Sequence, residues 1–340
     1  MLARYFLSVT RGARRRTLHN AYSGWASATS RVSALSPGTH FWTGRLPYSA
    51  LNDHYYLPPP VQDVEQEPMP PDYELQSYWK QRFVDEKHFE WLGDGKDTIL
   101  PHVYAFLLET RSSGLGSNQP RRLLHIGAGT SSLSERLREL YNSMYGEDVD
   151  ERAIVNTDFA GNLVVRKQAA EEARRAVGGQ QRGMRWRCVD AMKWRELEIL
   201  RDEEPAPFDI VVDKSTSDAI SCGEDVSYSH PDPSVHPSFN NYLEAHGTHG
   251  ITLSPVEVLA IHLSSVVRPG GLWVALTFSS DRFAFLSSPG SMDAPIPRAA
   301  SHWYLERVIT VDAPTGAQGN VHAPVVQHYI CLIRRGERPQ

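Results

Sequence analysis

The chain has 340 residues, 41% of them hydrophobic, with 35 Lys and Arg against 40 Asp and Glu for a formal charge of −5. That length suits one large α/β domain with extensions, and the mildly acidic balance argues against a nucleic-acid binder. No apolar run reaches the roughly 20 residues of a membrane-spanning helix. The three scattered cysteines, Cys188, Cys222 and Cys331, include no C-x-x-C pair and indicate neither a disulfide framework nor a cysteine zinc site.

Residues 1–52 contain no Asp or Glu and no Lys, but seven arginines: Arg4, Arg11, Arg14, Arg15, Arg16, Arg31 and Arg45. Leu2, Phe6 and Val9 fall near one face of an amphipathic helix. This Arg-rich, Ser-rich, acid-free composition is that of an organelle transit peptide. A secretory signal would need a continuous apolar core. Residues 1–52 are therefore expected to direct import into the mitochondrial matrix; the alternative is a basic tail on a cytoplasmic protein. Residues 53–71, with the Pro-rich run from Pro58 to Pro71, are expected to form an extended spacer.

The domain is expected to run over 72–336, opening with a helical cap over 72–116. Leu75, Trp79 and Phe83 lie at i, i+4 and i+8, one face of a helix from Tyr73 to Phe83. A second aromatic cluster, His88 to Asp94, follows, then an amphipathic helix from Pro101 to Thr110 and a polar turn from Ser112 to Pro120. Taken singly, these aromatics read as packing on a sheet edge. Leu123 to Ile126 is a short apolar run, a buried parallel strand. It breaks at Gly127 and Gly129, and Leu133, Leu137 and Leu140 then keep helical spacing. Strand, glycine turn and helix open nucleotide-type sites: glycines admit a ligand to the backbone, and a helix N-terminus favours an anion. A dinucleotide fingerprint wants a third glycine where Ser132 stands, which disfavours NAD.

Three further strands each end in an acid: Ala153 to Asp158, Arg185 to Asp190 and Phe208 to Asp213. A lone acid there reads as a turn or cap residue. Three in register after a glycine turn point to a ligand site on one edge of a parallel sheet. The polar stretch from Tyr141 to Arg152 reads as an insertion, and Gly178-Gly179 stops a helix that begins at Asn162. Residues 221–250 read as an inserted loop, a lid or a binding surface. Its histidines, His230, His236, His246 and His249, show no ligand spacing, so no metal is expected. Ser254, Pro255 and Glu257 open a helix. Arg268-Pro269-Gly270-Gly271 ends it, Leu272 to Phe278 is the fifth strand of the sheet, and Tyr304–Val311 and His328–Ile333 form a closing antiparallel pair.

From Tyr73 to Arg335 the chain resembles the seven-stranded S-adenosylmethionine-dependent methyltransferases. Within them it is most similar to the protein-lysine methyltransferases of elongation factor 1A and of mitochondrial citrate synthase. The residues that carry the likeness are Tyr78-Trp79-Lys80-Gln81-Arg82-Phe83, Phe89-Glu90-Trp91-Leu92-Gly93-Asp94, the loop from Gly127 to Ser134, Asp158-Phe159, and Asp213 to Ala219. Ala160 and Ser215 depart from the pattern, standing where the family has Ser and Gly.

The resemblance implies a Rossmann-like class I fold, a mostly parallel sheet with a final antiparallel hairpin and helices on both faces. It implies S-adenosyl-L-methionine as cofactor and transfer of a methyl group to a lysine of a protein substrate. Trp79, Phe83, Trp91, Gly127, Gly129, Asp158, Phe159, Asp190, Ala191 and Lys214 would line the cofactor pocket. Asp158 would hold the ribose and Asp190 the adenine amino group, while Trp79 and Trp91 would close over the cofactor, an aromatic face also suiting a sulfonium. Asp213 and Asp218 are candidates for orienting the acceptor amine. The alternatives are a small-molecule methyltransferase of the same fold and a non-catalytic binding subunit that keeps it.

Overall fold

The structure is a computed structural model that describes residues 71–112, 119–178, 183–204, 206–247, 250–287, 296–313 and 326–336. The expected transit segment, residues 1–52, the spacer as far as residue 70, and His249 lie outside the described residues.

The strands are β1 (Leu123–Ile126), β2 (Ile154–Asp158), β3 (Arg185–Cys188), β4 (Phe208–Lys214), β5 (Val226–Tyr228), β6 (Ile251–Leu253), β7 (Val267–Thr277), β8 (Trp303–Asp312) and β9 (Gln327–Arg335). Seven of them form one sheet in the order β3-β2-β1-β4-β7-β9-β8. The first five in that order run parallel, and β9 lies antiparallel between β7 and β8. Central strands covered on both faces are mostly apolar, and every residue of β1, β2 and β4 is buried, the polar His125, Asn156 and Thr157 included. The two-residue period of a strand sorts their side chains. Leu123, Ile154, Ile210 and Val212 join one core, and Leu124, Val155 and Val211 the other.

The first core is roofed by α2 (Leu100–Ser112) and α3 (Leu133–Tyr145), which contribute Val103, Leu107, Leu133 and Leu137. The second is roofed by α5 (Trp194–Glu203), α7 (Pro237–His246) and α8 (Pro255–Ser264). Ser254 caps α8, its Oγ accepting from the Glu257 N–H at 3.3 Å, as the residues predict. Between these layers, α1 (Gln76–Asp85) rests on α4 (Gly161–Gly178) through Phe83, Ala160 and Leu163, and α6 (Thr216–Ile220) follows β4.

Four expectations change. Residues 221–250 are not a structureless lid: β5 pairs with β6, and α7 buries Phe239, Tyr242 and Leu243 in the second core. His236 caps that helix, its Nδ1 accepting from the Ser238 N–H at 3.2 Å. The insertion read from Tyr141 shrinks, because α3 continues to Tyr145 and Tyr141 is buried, donating to the Arg121 carbonyl at 2.8 Å. Leu75, expected on the buried face of the first helix, is its N-cap residue and 46% exposed. The fifth strand of the sheet, β7, starts at Val267 and runs through the Pro-Gly-Gly, with a register irregularity against β4 between Phe208 and Ile210.

Candidate cofactor site

The turn after β1 holds Gly127 at φ +53° and Gly129 at φ +59°, in the left-handed region that side chains disfavour. The Ala128 N–H donates to the Thr157 carbonyl at 2.9 Å, and the Gly129 N–H to Asp158 Oδ2 at 3.0 Å. Thr216 closes the other side, its hydroxyl donating to the Ile126 carbonyl at 3.0 Å. A Cβ on Gly127 would overlap Thr216 Oγ1 and lie 2.7 Å from its Cγ2, whereas at Gly129 nothing lies nearer than 3.8 Å. Gly127 is thus required by packing and Gly129 leaves open space.

A cavity of about 430 Å³ lies over the C-terminal ends of β1 to β4, within the roughly 300–1,000 Å³ range of small-molecule sites. All the residues expected at a cofactor border it. Trp79, Phe83 and Trp91 come from the cap, and Gly127 and Gly129 from the turn. Asp158 ends β2 and Phe159 follows it, Asp190 and Ala191 follow β3, and Lys214 ends β4.

Both strand-end acids also hold backbone. Asp158 accepts from the Gly129 and Ala160 N–H groups, the latter at 2.9 Å, and burial pushes its carboxyl up to about 6 against those hydrogen bonds. Asp190 Oδ1 accepts from the Met192 N–H at 3.0 Å, and Oδ2 pairs with Lys193 at 3.3 Å. Carboxylate oxygens carry two lone pairs each, so both acids retain acceptor capacity towards the cavity.

The cap is tied to this floor by two carboxylates that sequence reasoning missed. Glu90 Oε1 accepts from the Ser132 N–H at 2.8 Å and hydroxyl at 2.5 Å, and Glu90 Oε2 from Lys214 Nζ at 2.9 Å. The anion that the α3 N-terminus favours is thereby supplied by the chain itself. Lys214 also donates to the Gly93 carbonyl at 2.6 Å; burial pushes its pKa down and Glu90 opposes that. Glu86 accepts from the Thr130 hydroxyl at 2.9 Å and from Arg82 Nε at 2.6 Å. The Arg82 guanidinium lies 4.9 Å from the Phe89 ring centroid, 5.5 Å from Trp79 and 5.9 Å from Trp91, so one cation gathers the cap aromatics.

The two candidate amine-orienting acids have other work. Asp213 does not border the cavity. It is fully buried, and its Oδ1 accepts from the Thr216 N–H at 2.9 Å and the Ser217 N–H at 3.2 Å, capping α6. Asp218 borders the cavity, but its carboxylate accepts from the hydroxyls of Ser215 and Thr277, the Phe278 N–H and Arg282 Nε. Four donors hold it in place. Ser215 sits at φ +66°, in the left-handed region that glycine adopts most readily, and its hydroxyl bond to Asp218 at 2.6 Å opposes the strain.

Burial raises the Asp213 carboxyl from 3.8 to about 7. A group whose folded pKa lies above its unfolded one contributes stability that is complete below the unfolded value and lost as pH rises through the folded one. Asp213→Asn keeps the acceptor for the two N–H groups and removes the charge. It is expected to match the parent in denaturant unfolding near pH 4 and exceed it at pH 8 by more than about 1 kcal/mol, the equivalent of one pKa unit. A variant no more stable than the parent at pH 8 would refute that assignment.

Among curated proteins, methyltransferase srdJ of Neurospora crassa is 34% identical over 160 residues, 46% of this chain and 58% of the relative. EEF1A lysine methyltransferase 4 of Mus musculus is 24% identical over 215 residues, 62% of this chain and 64% of the relative. The chain thus spans less than two thirds of the length of either. A solved SAM-dependent methyltransferase from Anabaena variabilis, 11% identical, matches 78% of this chain and 93% of its own at a TM-score of 0.41. No family model matches. Sheet order, the antiparallel β9 and the glycine turn define the class: the fold is the Rossmann-like, seven-stranded fold of S-adenosylmethionine-dependent methyltransferases.

Proposed function

We propose that the chain is an S-adenosylmethionine-dependent methyltransferase whose acceptor is a lysine of a protein. The observation that carries the reading is the cavity itself, where the glycine turn, two strand-end acids and an aromatic cap meet. The residues suit the cofactor: open space at Gly129 admits it to the backbone, Asp158 and Asp190 offer acceptors for ribose hydroxyls and an adenine amino group, and Trp79 and Trp91 offer faces for a cation. When bound, S-adenosylmethionine supplies a methyl group on a sulfonium.

The chain's own contribution is alignment and exclusion of water, with positioning able to supply up to roughly 7–11 kcal/mol. A lysine must lose its proton before it accepts, which costs about 4.6 kcal/mol at pH 7, and an apolar cavity reduces that cost by disfavouring the ammonium. Asp218 is saturated with donors and is assigned to holding the cavity wall between β4 and β7 rather than to proton transfer. Of residues 221–250, Cys222, Gly223, Glu224 and Val226 border the cavity, and acceptor choice is assigned to them.

The lysine acceptor rests on the motif likeness and on lysine methyltransferase relatives from mouse and cattle. Incubating the full chain with labelled S-adenosylmethionine and mitochondrial or cytosolic extract tests it. Label on a protein lysine is the expected result; label on small molecules alone would replace the acceptor, and cofactor binding without transfer would favour the silent subunit. Import is the second part of the proposal. Residues 1–52 fused to a reporter are expected to carry it into mitochondria, and a reporter left in the cytosol would sink that part.

A further inference from the structure

The wall that follows β3 is built from Asp190, Ala191 and Met192, all bordering the cavity. Its backbone is pinned at three points: the Asp190 N–H donates to Glu196 Oε2 at 2.7 Å, the Met192 N–H to Asp190 Oδ1 at 3.0 Å, and the Lys193 N–H to the Asp190 carbonyl at 2.9 Å. The Ala191 carbonyl accepts from Nδ1 of His262 at 3.0 Å. His262 stands on α8, 71 residues along the chain, and is 1% exposed. Its ring lies 5.8 Å from His236 and 5.9 Å from Trp194, and its Nε2 has no hydrogen-bond partner among the described residues.

A buried imidazole with one bare nitrogen carries a desolvation cost that the hydrogen bond at its other nitrogen only offsets. A methyl-bearing or aromatic side chain would fill this site among Trp194, His236 and Phe239 without that cost. The polar group is explained by what it holds, the peptide plane joining two cavity-wall residues. We infer that His262 is a positioning residue for the adenine end of the cofactor site, setting the Ala191–Met192 peptide, whose N–H binds Asp190 Oδ1, so that the Asp190 carboxylate meets the 6-amino group. This rests on the cofactor reading above. The acceptor carbonyl fixes the tautomer: the proton is on Nδ1. Burial pushes the pKa of His262 down to about 4, so the ring is neutral and the arrangement persists across physiological pH.

Two variants separate positioning from packing. Asparagine places an amide donor near the Nδ1 position and loses the ring, whereas phenylalanine keeps a ring and loses the donor. S-adenosylhomocysteine and its inosyl analogue, in which an oxo group replaces the 6-amino group, are titrated by calorimetry into the full chain and into each variant. Thermal unfolding is recorded alongside. His262→Asn is expected to keep the parent's preference for the adenine ligand, and His262→Phe to reduce that preference by about tenfold, the size of one hydrogen bond to a well-placed group. A folded His262→Phe with the parent's preference overturns the inference, as does an equal loss of affinity for both ligands. If the parent binds neither ligand, the cofactor reading itself fails, and the two failures are told apart.

Discussion

Gly127→Ala is expected to abolish binding of S-adenosylhomocysteine and to lower the stability of the chain by about 2–5 kcal/mol. Two costs combine. The left-handed backbone at φ +53° strains any residue with a Cβ, by about 1–2 kcal/mol. The new methyl also overlaps the Thr216 hydroxyl, and overpacking a fitted site costs about 1–3 kcal/mol. Thr216 cannot swing away without releasing the Ile126 carbonyl. Adding Thr216→Ala removes Oγ1 and Cγ2, so the double variant is expected to regain most of the packing part and none of the backbone part. Denaturant unfolding measures the first effect and calorimetry the second. A single variant with the parent's stability and affinity would refute the role of this turn.

Lys214→Met is the second large change. Methionine matches the lysine stem in length, but Glu90 loses its cation and the Gly93 carbonyl its donor. Breaking a buried pair costs about 3–5 kcal/mol. The Glu90 side chain is 22% exposed and keeps its bonds to Ser132, so about 2–3 kcal/mol is expected here. Because Glu90 joins the cap to the glycine turn, affinity for S-adenosylhomocysteine should fall at least about tenfold. Adding Glu90→Gln neutralises the stranded carboxylate and should return part of the stability. Unaltered affinity in folded Lys214→Met would show that the cap does not shape the cofactor site.

The parallel core and the glycine turn were legible because both leave local signatures. Strands buried on two faces are rich in apolar residues, and a turn with positive φ favours Gly. The cap aromatics were legible only through the family motif, since Trp79 and Phe83 alone also read as edge packing. The ties that hold the cap were not legible. Glu86 and Glu90 meet Thr130 and Ser132 across 44 and 42 residues, and Lys214 meets Glu90 across 124. No periodicity records such pairs. Helix α7 was missed because its ten residues carry Pro, Asn and His, a loop composition, and it is stabilised by Phe239, Tyr242 and Leu243 reaching the core. Replacing residues 221–250 with a flexible linker would therefore remove core as well as cavity wall. Asp213 and Asp218, five residues apart, look alike in sequence; one caps a helix beneath the site and the other is locked by four donors beside it.

The most direct measurement is calorimetric titration of S-adenosylhomocysteine into the full chain and into Gly127→Ala. The account predicts one saturable site in the parent, a thermal unfolding temperature that rises with ligand concentration, and neither signal in the variant. No binding by the parent at millimolar ligand, or equal binding by both chains, would contradict it.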